Sequence, residues 1–374
     1  MFRLNIMGKP IFIIGGSHHN TLGVIRAFGE LGIAKDIVLF IDNSDHIITT
    51  TKYVTNERIH RFSSNCEIAE LVIQAASKFD SKPVVICCGD PYIDAIDNSS
   101  DIISTVCTIP RASHFGGIVE YLDKNRQRDL AIKCGFKLPR KFEIDNVKFP
   151  CILKPENSTK GSKNDIAICK SEAELKEYLK SHASIVSIEE FIEKEIEFQL
   201  IGCSLQQQII IPGYTDIIRQ PENTNTGYLK YSPISDGFVS PELLEKVKKL
   251  IRGIGYIGLF SVEFLRARDG KDYFLEINMR NDGNAYCVTS AGVNLPYLWY
   301  KYADNPDSII TEQTDFSKPI YWLPEDDLRS IKKIGPTKWL KQWISADSHA
   351  YANKKDPKPF VYYFLDFFKR HIFH

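Results

Sequence analysis

Two strand-like segments between residues 258 and 283 carry carboxylates among residues that are typical of a buried core. The sequence there, GLFSVEFLRARDGKDYFLEINMRNDG, predicts a β-hairpin, because two runs of strand-forming residues flank an Asp-Gly turn. Glu276 and Asn278 are two residues apart and therefore share a face of the second strand. Pairing through the turn brings Glu263 of the first strand to the same face. The segment therefore predicts two carboxylates and an amide oxygen on one side of a hairpin.

The residues between these polar side chains are apolar or aromatic: Phe260, Val262, Phe264, Tyr273, Phe274, Leu275 and Ile277. A strand with such neighbours accepts a carboxylate only where a partner offsets its loss of hydration. Hard oxygen donors in this number suit Mg²⁺ or Mn²⁺, which takes further ligands from phosphates and water. Arg280 follows on the same side and can hold a phosphoryl group beside the metal. The alternative is a solvated polar face without a ligand.

Length, charge and cysteine usage exclude several classes of protein. The 374 residues suffice for two or three domains. Lysine plus arginine and aspartate plus glutamate number 47 each, so no overall field favours nucleic acid as a partner. The nine cysteines are an odd number without a CxxC pair, which favours a reducing, cytoplasmic setting over a disulfide framework. Neither a signal peptide nor a membrane-spanning run is predicted.

Residues 1–120 alternate strand and helix patterns, as parallel α/β domains do. The strands are predicted at 11–16, 37–42, 83–88 and 105–109, and the helices at 21–31 and 66–79. The first strand ends at a Gly-Gly turn that lacks the GxGxxG pattern of dinucleotide-binding domains. His18 lies in that turn, at the carboxyl end of a strand where open α/β sheets place ligands, and is a candidate substrate residue.

A second region, residues 121–310, is predicted to mix strands and helices. It opens with a helix that carries Lys124, continues to a strand that contains Lys154, and divides at about residue 192. An S-x-x-E capping box and a Ser-Pro pair predict the starts of two of its helices. Residues 311–374 are rich in aromatic side chains and predict a helical C-terminal extension.

Three polar groups in the second region suit a nucleotide. The loop after the Lys154 strand combines hydroxyls, a glycine and a lysine, and its backbone N–H groups can cradle phosphates: Ser158, Lys160, Gly161 and Ser162. A later strand ends with backbone atoms and an apolar wall that suit adenine: Glu189, Glu190, Phe191 and Ile192. Glu197, on the next strand, can accept hydrogen bonds from ribose hydroxyls. A plain polar loop and a charged connector are the alternatives.

The order of these elements resembles the ATP-grasp superfamily. The resemblance covers roughly residues 1–305 and is most specific in the motif VEF…LEINMR, which holds Glu263, Glu276, Asn278 and Arg280. It implies an α/β plus α+β architecture with three parts. These are an N-terminal Rossmann-like pre-ATP-grasp domain (1–120), a two-subdomain ATP-grasp fold (121–310, contributed by 121–192 and 193–310) and the C-terminal helical extension (311–374).

The resemblance also implies a role for each candidate residue. ATP would be held by Lys124, Lys154, the loop residues Ser158, Lys160, Gly161 and Ser162, and by Glu189, Glu190, Phe191, Ile192 and Glu197. Mg²⁺ or Mn²⁺ would be bound by Glu263, Glu276 and Asn278. Arg280 would act in catalysis by stabilising the transferring phosphoryl group. The chain departs from the usual pattern in a loop that is poor in glycine and in Met279, where proline is common.

The activity that the resemblance implies is that of an ATP-dependent carboxylate–amine (or carboxylate–thiol) ligase. Carbamoyl-phosphate-synthase-like enzymes and D-aspartate ligases are similar in general appearance. ATP would convert the carboxylate to an acylphosphate, the amine would attack it, and ADP and phosphate would leave. Two alternatives remain open: a bicarbonate-activating enzyme and a catalytically silent ATP-binding module. The expected partners are therefore a small-molecule carboxylate and an amine.

The sequence is less informative about which residues contact the substrates. Candidates for contact with the carboxylate or the amine are His18, Arg219, Lys230 and Asp282. The aromatic terminal segment, residues 360–373, leaves three fates open: docking on the main body, a homodimer contact, or contact with a membrane surface.

Overall fold

The structure is a computed structural model that describes residues 8–43, 47–155, 166–181, 186–221, 224, 226–305 and 307–372. The predicted phosphate loop, with Ser158, Lys160, Gly161 and Ser162, lies outside the described residues.

Within that part of the chain, thirteen strands form three sheets. The strands are β1 (Ile11–Gly15), β2 (Ile37–Asp42), β3 (Ile59–Phe62), β4 (Val84–Cys87), β5 (Cys151–Pro155), β6 (Ala167–Cys169), β7 (Val186–Glu190), β8 (Lys194–Ser204), β9 (Ile209–Arg219), β10 (Tyr228–Pro233), β11 (Gly258–Ala267), β12 (Asp272–Asn278) and β13 (Ile320–Trp322). The strand orders are β3-β2-β1-β4, β6-β5-β7 and β12-β11-β8-β9-β10-β13.

The described α-helices are α1 (His19–Gly29), α2 (Ile68–Ala76), α3 (Asp90–Asp97), α4 (Ser100–Val106), α5 (Gly117–Glu120), α6 (Lys124–Cys134), α7 (Glu172–Ser181), α8 (Pro241–Ile254), α9 (Tyr286–Ser290), α10 (Leu295–Tyr302), α11 (Ile331–Ile334), α12 (Pro336–Ser345) and α13 (Lys358–Ile372). The capping predictions are confirmed at two of them. The Ser240 hydroxyl accepts from the Leu243 N–H (3.1 Å) at the start of α8, and the Ser171 hydroxyl accepts from the Glu174 N–H (3.3 Å) before α7.

The four-stranded sheet is parallel, with β1 at its centre between β2 and β4. Its central strand is buried along its whole length, which explains the continuous apolar run from Ile11. The predicted strand at 105–109 is wrong: α4 occupies the first part, and only Thr108 forms an isolated bridge, with Val84. A short apolar run fits a strand or a buried helix equally, and here Ile103 is buried on the inner face of a helix.

The six-stranded sheet carries the hairpin that the sequence predicts. Strands β11 and β12 pair antiparallel with Glu263 opposite Glu276. Gly270 closes the turn at φ 76°, in the left-handed region that favours glycine. One face of this sheet packs on the apolar stripe of α8: Leu243, Val247, Leu250, Ile251 and Ile254. The opposite face carries Glu263 and Glu276.

The C-terminal segment is joined to the rest of the molecule by several sets of contacts, which include a strand pairing and a buried arginine. Strand β13 pairs with β10 and adds the sixth strand of the large sheet. The guanidinium of Arg26, on α1, donates to the carbonyls of Ala350 (2.8 Å) and Tyr351 (2.7 Å) and to the Asp356 carboxylate (3.1 Å). The predicted division of the chain at residues 120 and 310 stays a prediction, but the last segment packs as part of one body.

The aromatic terminal helix α13 docks on the main body, the first of its three predicted fates. Phe360 and Tyr363 pack against the core cluster that contains Ile11 and Ile13 of β1. They also stack on Trp343 (ring centroids 5.8 Å apart) and Tyr351 (4.7 Å) of the C-terminal segment itself. In the parts of the chain that the structure describes, no helix combines the length and the apolar character that a membrane span needs.

Candidate functional site

The carboxylates of the hairpin face each other across β11 and β12. Glu263 accepts a hydrogen bond from the Asn278 amide (3.1 Å) and another from the Gln199 amide of β8 (2.9 Å). Gln199 is itself held by the Asn284 amide, which donates to its carbonyl oxygen at 2.8 Å. The sheet therefore fixes the position of one carboxylate and of the amide beside it.

Lys124 reaches this face because α6 is attached to the edge strand β12. The Gln127 amide donates to the Ile277 carbonyl (3.0 Å) and accepts from the Ile277 N–H (3.1 Å). These bonds satisfy backbone groups that an edge strand would otherwise expose. Lys124, one turn earlier in the helix, places its Nζ 3.1 Å from Oε2 of Glu276.

Arg280 lies beyond the end of β12 and bridges the hairpin to the parallel sheet. Its Nε donates to Asp90 Oδ1 (2.6 Å), and its Nη2 donates to Asn278 Oδ1 (3.3 Å). The next residue, Asn281, donates its N–H to the Cys87 carbonyl at the end of β4 (3.0 Å). The metal-candidate face and the carboxyl end of the parallel sheet therefore adjoin, and the region where they meet is called the cleft below.

The electrostatics of the cleft show carboxylates crowded against each other. Burial raises the pKa of Glu263 well above its usual value, and the nearby carboxylates of Glu276 and Asp282 raise it further. Burial lowers the pKa of Lys124, but the attraction of Glu276 outweighs it and raises the pKa overall. A cation between the two glutamates would relieve this repulsion.

Two carboxylates and an amide oxygen fit a hard divalent cation that shares its other ligands with phosphate and water. Among the described residues, no three His, Cys, Asp or Glu side chains cluster as they would around a metal held by protein alone. The donor set therefore suits a cation that arrives with an anionic ligand rather than a permanently caged ion.

The nucleotide candidates Lys154 and Glu189 are paired with each other. Lys154 Nζ lies 3.2 Å from Oε2 of Glu189, which supplies the partner that a lysine in an apolar strand requires. Arg128 of α6 approaches the other carboxylate oxygen at 3.5 Å. Glu189 is only 7% exposed, so two cations hold it on the wall of the three-stranded sheet.

The remaining nucleotide candidates line the connection from β7 to β8. The Glu190 N–H donates to the Arg140 carbonyl (2.8 Å), and the Arg140 N–H donates to the Glu190 carboxylate (3.3 Å). The Phe191 N–H donates to the Pro150 carbonyl at 3.4 Å. Ile192 is half-buried in the linker that follows. Glu197 pairs with Lys194 (2.7 Å) and, by the alternation of β8, points to the same face as Gln199.

Of the substrate candidates, His18 and Asp282 join the cleft. A side chain added at Gly283 would meet the His18 ring at 3.3 Å, so this imidazole lies against the segment that follows Arg280. Asp282 accepts from the Ser261 hydroxyl (2.7 Å) and from the Asn284 N–H (2.8 Å).

The structure does not bring Arg219 and Lys230 to the hairpin face. Arg219 donates to both carboxylate oxygens of Asp327 and, at 2.8 Å, to the Gln342 side chain, because the C-terminal segment covers the end of β9. Lys230 lies opposite Asp216 of β9. This pair is shifted by one residue along the strands from the row of paired residues that contains Glu263 and Gln199. Alternation along the strand therefore points Lys230 to the opposite face of the sheet.

Sequence reasoning missed three residues of the cleft: Asp90, Arg128 and Gln199. Asp90 follows β4 directly, as His18 follows β1, so the rule that ligands gather at the carboxyl ends of parallel strands could have identified it. Gln199 could have been found from the alternation of β8 once Glu197 was selected. Arg128 carries no local signal, since its contact depends on how α6 packs against β7.

Comparisons of the sequence and of the structure with known proteins indicate the ATP-grasp fold. A family model described as ATP-grasp in the biosynthetic pathway with Ter operon matches residues 233–320. A formate-dependent phosphoribosylglycinamide formyltransferase from Sulfurovum sp. (strain NBC37-1) is 26% identical over 202 residues, which are 49% of this chain and 50% of that protein. The alignment thus spans about half the length of that relative.

Solved structures match over more of the chain. An ADP complex of N5-carboxyaminoimidazole ribonucleotide synthetase has a TM-score of 0.64 at 16% identity, over 86% of this chain and 82% of that chain. An L-amino acid ligase from Bacillus licheniformis has a TM-score of 0.57 at 16% identity, over 79% and 75%. The chain has the ATP-grasp fold, and the resemblance predicted from its sequence is confirmed at that level.

Proposed function

We propose that this protein is an ATP-dependent ligase that joins a carboxylate to an amine (or a thiol). The γ-phosphoryl group of ATP would pass to the carboxylate, the amine would displace phosphate from the acylphosphate, and ADP and phosphate would be released. The fold supports an ATP site, and the cleft supports phosphoryl transfer. The proposal includes the three-part organisation at residues 1–120, 121–310 and 311–374.

One observation carries this proposal: two facing glutamates lie between two cationic side chains. Glu263 and Glu276 are direct partners in the hairpin, with Lys124 on one side and Arg280 on the other. A purely structural hairpin has no need of carboxylates whose mutual repulsion raises a pKa. Phosphoryl transfer needs this combination of oxygen ligands and fixed cations.

Glu263, Glu276 and Asn278 would hold Mg²⁺ or Mn²⁺, which when bound neutralises phosphate charge. Arg280 would donate to the transferring phosphoryl oxygens, and Asp90 positions its guanidinium through the 2.6 Å bond at Nε. Lys124 and Lys154 would bind the phosphates from the opposite wall. These positions are held by secondary structure, so little reorganisation accompanies the reaction.

The adenosine end of ATP would lie against the β7–β8 connection. Glu189, Glu190, Phe191 and Ile192 would border adenine, Glu197 would accept from ribose, and the loop at Ser158–Ser162 would cover the phosphates. Thiols are poor candidates for a covalent intermediate on this protein, because those beside the cleft are buried. Burial raises the pKa of Cys88, for example, to about 12.

The test is ADP release measured with Mg²⁺, ATP and pools of carboxylates and amines, followed by mass spectrometry of the product. We expect no release with ATP alone and a strong increase with one carboxylate–amine pair. MgATP should also raise the melting temperature, because it binds the folded state alone. Absence of both the thermal shift and ADP release would overturn the proposal.

Two results would replace the leading proposal with its alternatives. ADP release that requires bicarbonate and no other carboxylate indicates a bicarbonate-activating enzyme. A thermal shift with MgATP but no release in any pool indicates a catalytically silent ATP-binding module.

A further inference from the structure

The terminal helix α13 docks on the protein with one face and exposes another. Phe360 and Tyr363 pack against the core. By contrast, Val361, Tyr362 and Leu365 are 51%, 49% and 53% exposed. Docking therefore covers only part of the large apolar surface of this helix.

The exposed side chains form one stripe with a lysine at each end. Residues 358, 361, 362, 365 and 369 have the three-to-four-residue spacing that places side chains on one side of a helix. Lys358 and Lys369 are exposed at the two ends, and the apolar stripe of Val361, Tyr362 and Leu365 lies between them. Lysines in such positions can extend to lipid headgroups while the apolar side chains enter a membrane interface.

The exposed surface of α13 continues onto the chain that follows β2. An open depression lies between them, lined on one side by Pro357, Lys358, Val361 and Tyr362 and on the other by the three threonines at residues 49–51. The next residue, Lys52, is also exposed. The surface beside the apolar stripe therefore includes a lysine from a distant part of the chain.

Positive charge is concentrated in the part of the sequence that contains α13. Residues 331–374 include nine lysines and arginines and three aspartates, whereas the whole chain has 47 basic and 47 acidic residues. One of those aspartates, Asp356, is buried against Arg26 and adds little to the surface field. The neighbouring helices α11 and α12 expose further lysines: Lys332, Lys333, Lys338 and Lys341. This end of the protein therefore favours an anionic partner.

A second copy of the chain fits this face poorly. A symmetric dimer places the same patch of both protomers against itself. The lysines that end the apolar stripe on one protomer would then approach those of the other, and like charges at an interface oppose association. An anionic surface instead matches both the lysines and the apolar side chains between them.

We propose that the exposed face of α13 docks this protein on an anionic lipid membrane. The apolar stripe enters the interface, and Lys358 and Lys369 lie at the headgroup phosphates. Docking on the protein and contact with the membrane use different faces of the helix, so α13 keeps its place in the fold. The contact is peripheral and reversible, and the inference does not rest on the proposed ligase activity.

The experiment is sedimentation of the full chain with vesicles of phosphatidylcholine alone or of an equal mixture with phosphatidylglycerol. We expect binding to the mixed vesicles only, and weaker binding as salt is added. Val361→Gln combined with Leu365→Gln should lower the partition coefficient roughly 10–100-fold, because two apolar side chains are lost from the interface. Lys358→Gln combined with Lys369→Gln should lower it roughly 30-fold.

Ile102→Gln on α4 and Lys176→Gln on α7 are the matched controls, since they change exposed side chains elsewhere, and both should bind as wild type. Melting temperatures within a few degrees of wild type would show that the variants are folded. Failure to bind mixed vesicles, equal binding to neutral vesicles, or unchanged binding in both paired variants would overturn the proposal.

Two other results would overturn the proposal by identifying a different occupant of this face. A dimer that the paired variants dissociate, together with no vesicle binding, would assign the face to a second copy. Tighter binding to soluble polyglutamate than to mixed vesicles would assign it to an acidic protein.

Discussion

Two arginines of this protein bind aspartates in different surroundings. Arg26 and Asp356 are 0% and 1% exposed, and the guanidinium of Arg26 is further occupied by main-chain carbonyls. Arg280 and its partner Asp90 are 17% and 42% exposed and open into the cleft. Asn278 and Asp282 lie within 4 Å of the same guanidinium.

The difference lies in exposure and in the surrounding charges, because each guanidinium makes four hydrogen bonds to acceptors of the protein. Arg26 and its aspartate are closed off from solvent. Arg280 stays partly exposed among carboxylates that repel one another, and an anion with its cation would relieve that repulsion. Arg280 is therefore the better candidate for a functional role.

The same substitution at the two arginines should separate activity from stability. Arg280→Lys keeps the charge but loses the fork that joins Asp90 to Asn278, so ADP release should fall by roughly 10³-fold, about 4 kcal/mol in the barrier. The melting temperature should stay within a few degrees of wild type. Arg252→Lys, on the exposed side of α8, is the control. Retained activity in Arg280→Lys would remove this residue from phosphoryl transfer.

Arg26→Lys should have the reverse effect. A lysine cannot reach the carbonyls of Ala350 and Tyr351 and the Asp356 carboxylate together, so buried acceptors lose their donors at a cost of about 3 kcal/mol. Urea unfolding should show the lower free energy, while ADP release per folded molecule well below the transition stays near wild type. An unchanged midpoint would mean that the junction does not stabilise the fold.

Buried carboxylates extend the comparison, since both Glu263 and Glu325 have a raised pKa. Burial raises the pKa of Glu325 to about 7 although two backbone N–H groups bind it. The folded state then holds the proton more tightly than the unfolded state, so stability falls as pH rises from 4.5 toward 7. Between pH 5 and 7 the loss is about 2 kcal/mol, and Glu325→Gln should flatten the curve by that amount in urea titrations. A curve that keeps its slope would contradict this assignment.

The smallest effect concerns the hairpin turn. Gly270 has φ 76°, and among the described residues nothing would contact a side chain added there, so Gly270→Ala measures backbone strain alone. We expect a loss of about 1 kcal/mol in unfolding free energy. Gly270→Asn should cost less, because asparagine tolerates this conformation better. Equal losses would indicate that the turn changes type.

Prediction from sequence succeeded where structure depends on neighbours along the chain. The Asp-Gly turn and the alternation around Glu263 and Glu276 determine the hairpin register, and a hydroxyl N-cap determines where α8 begins. These signals act over a few residues and need no knowledge of the fold.

Sequence reasoning could not place side chains whose partners lie far away along the chain. The residues around Arg219 do not indicate that its guanidinium binds Asp327, 108 residues later. Lys230 was selected for its charge, but the sheet register turns it away from the cleft. Such contacts depend on topology, which no local pattern encodes.

The bond between Arg26 and Asp356 joins residues 330 positions apart. During synthesis α1 emerges early. The Arg26 guanidinium can bind the carbonyls of Ala350 and Tyr351 only after nearly all of the described chain has been made. His19, at the start of α1, gains Trp322 and Tyr351 as neighbours at a similarly late stage. A prematurely terminated chain would therefore leave both ends of the buried helix α1 without the groups that cover them.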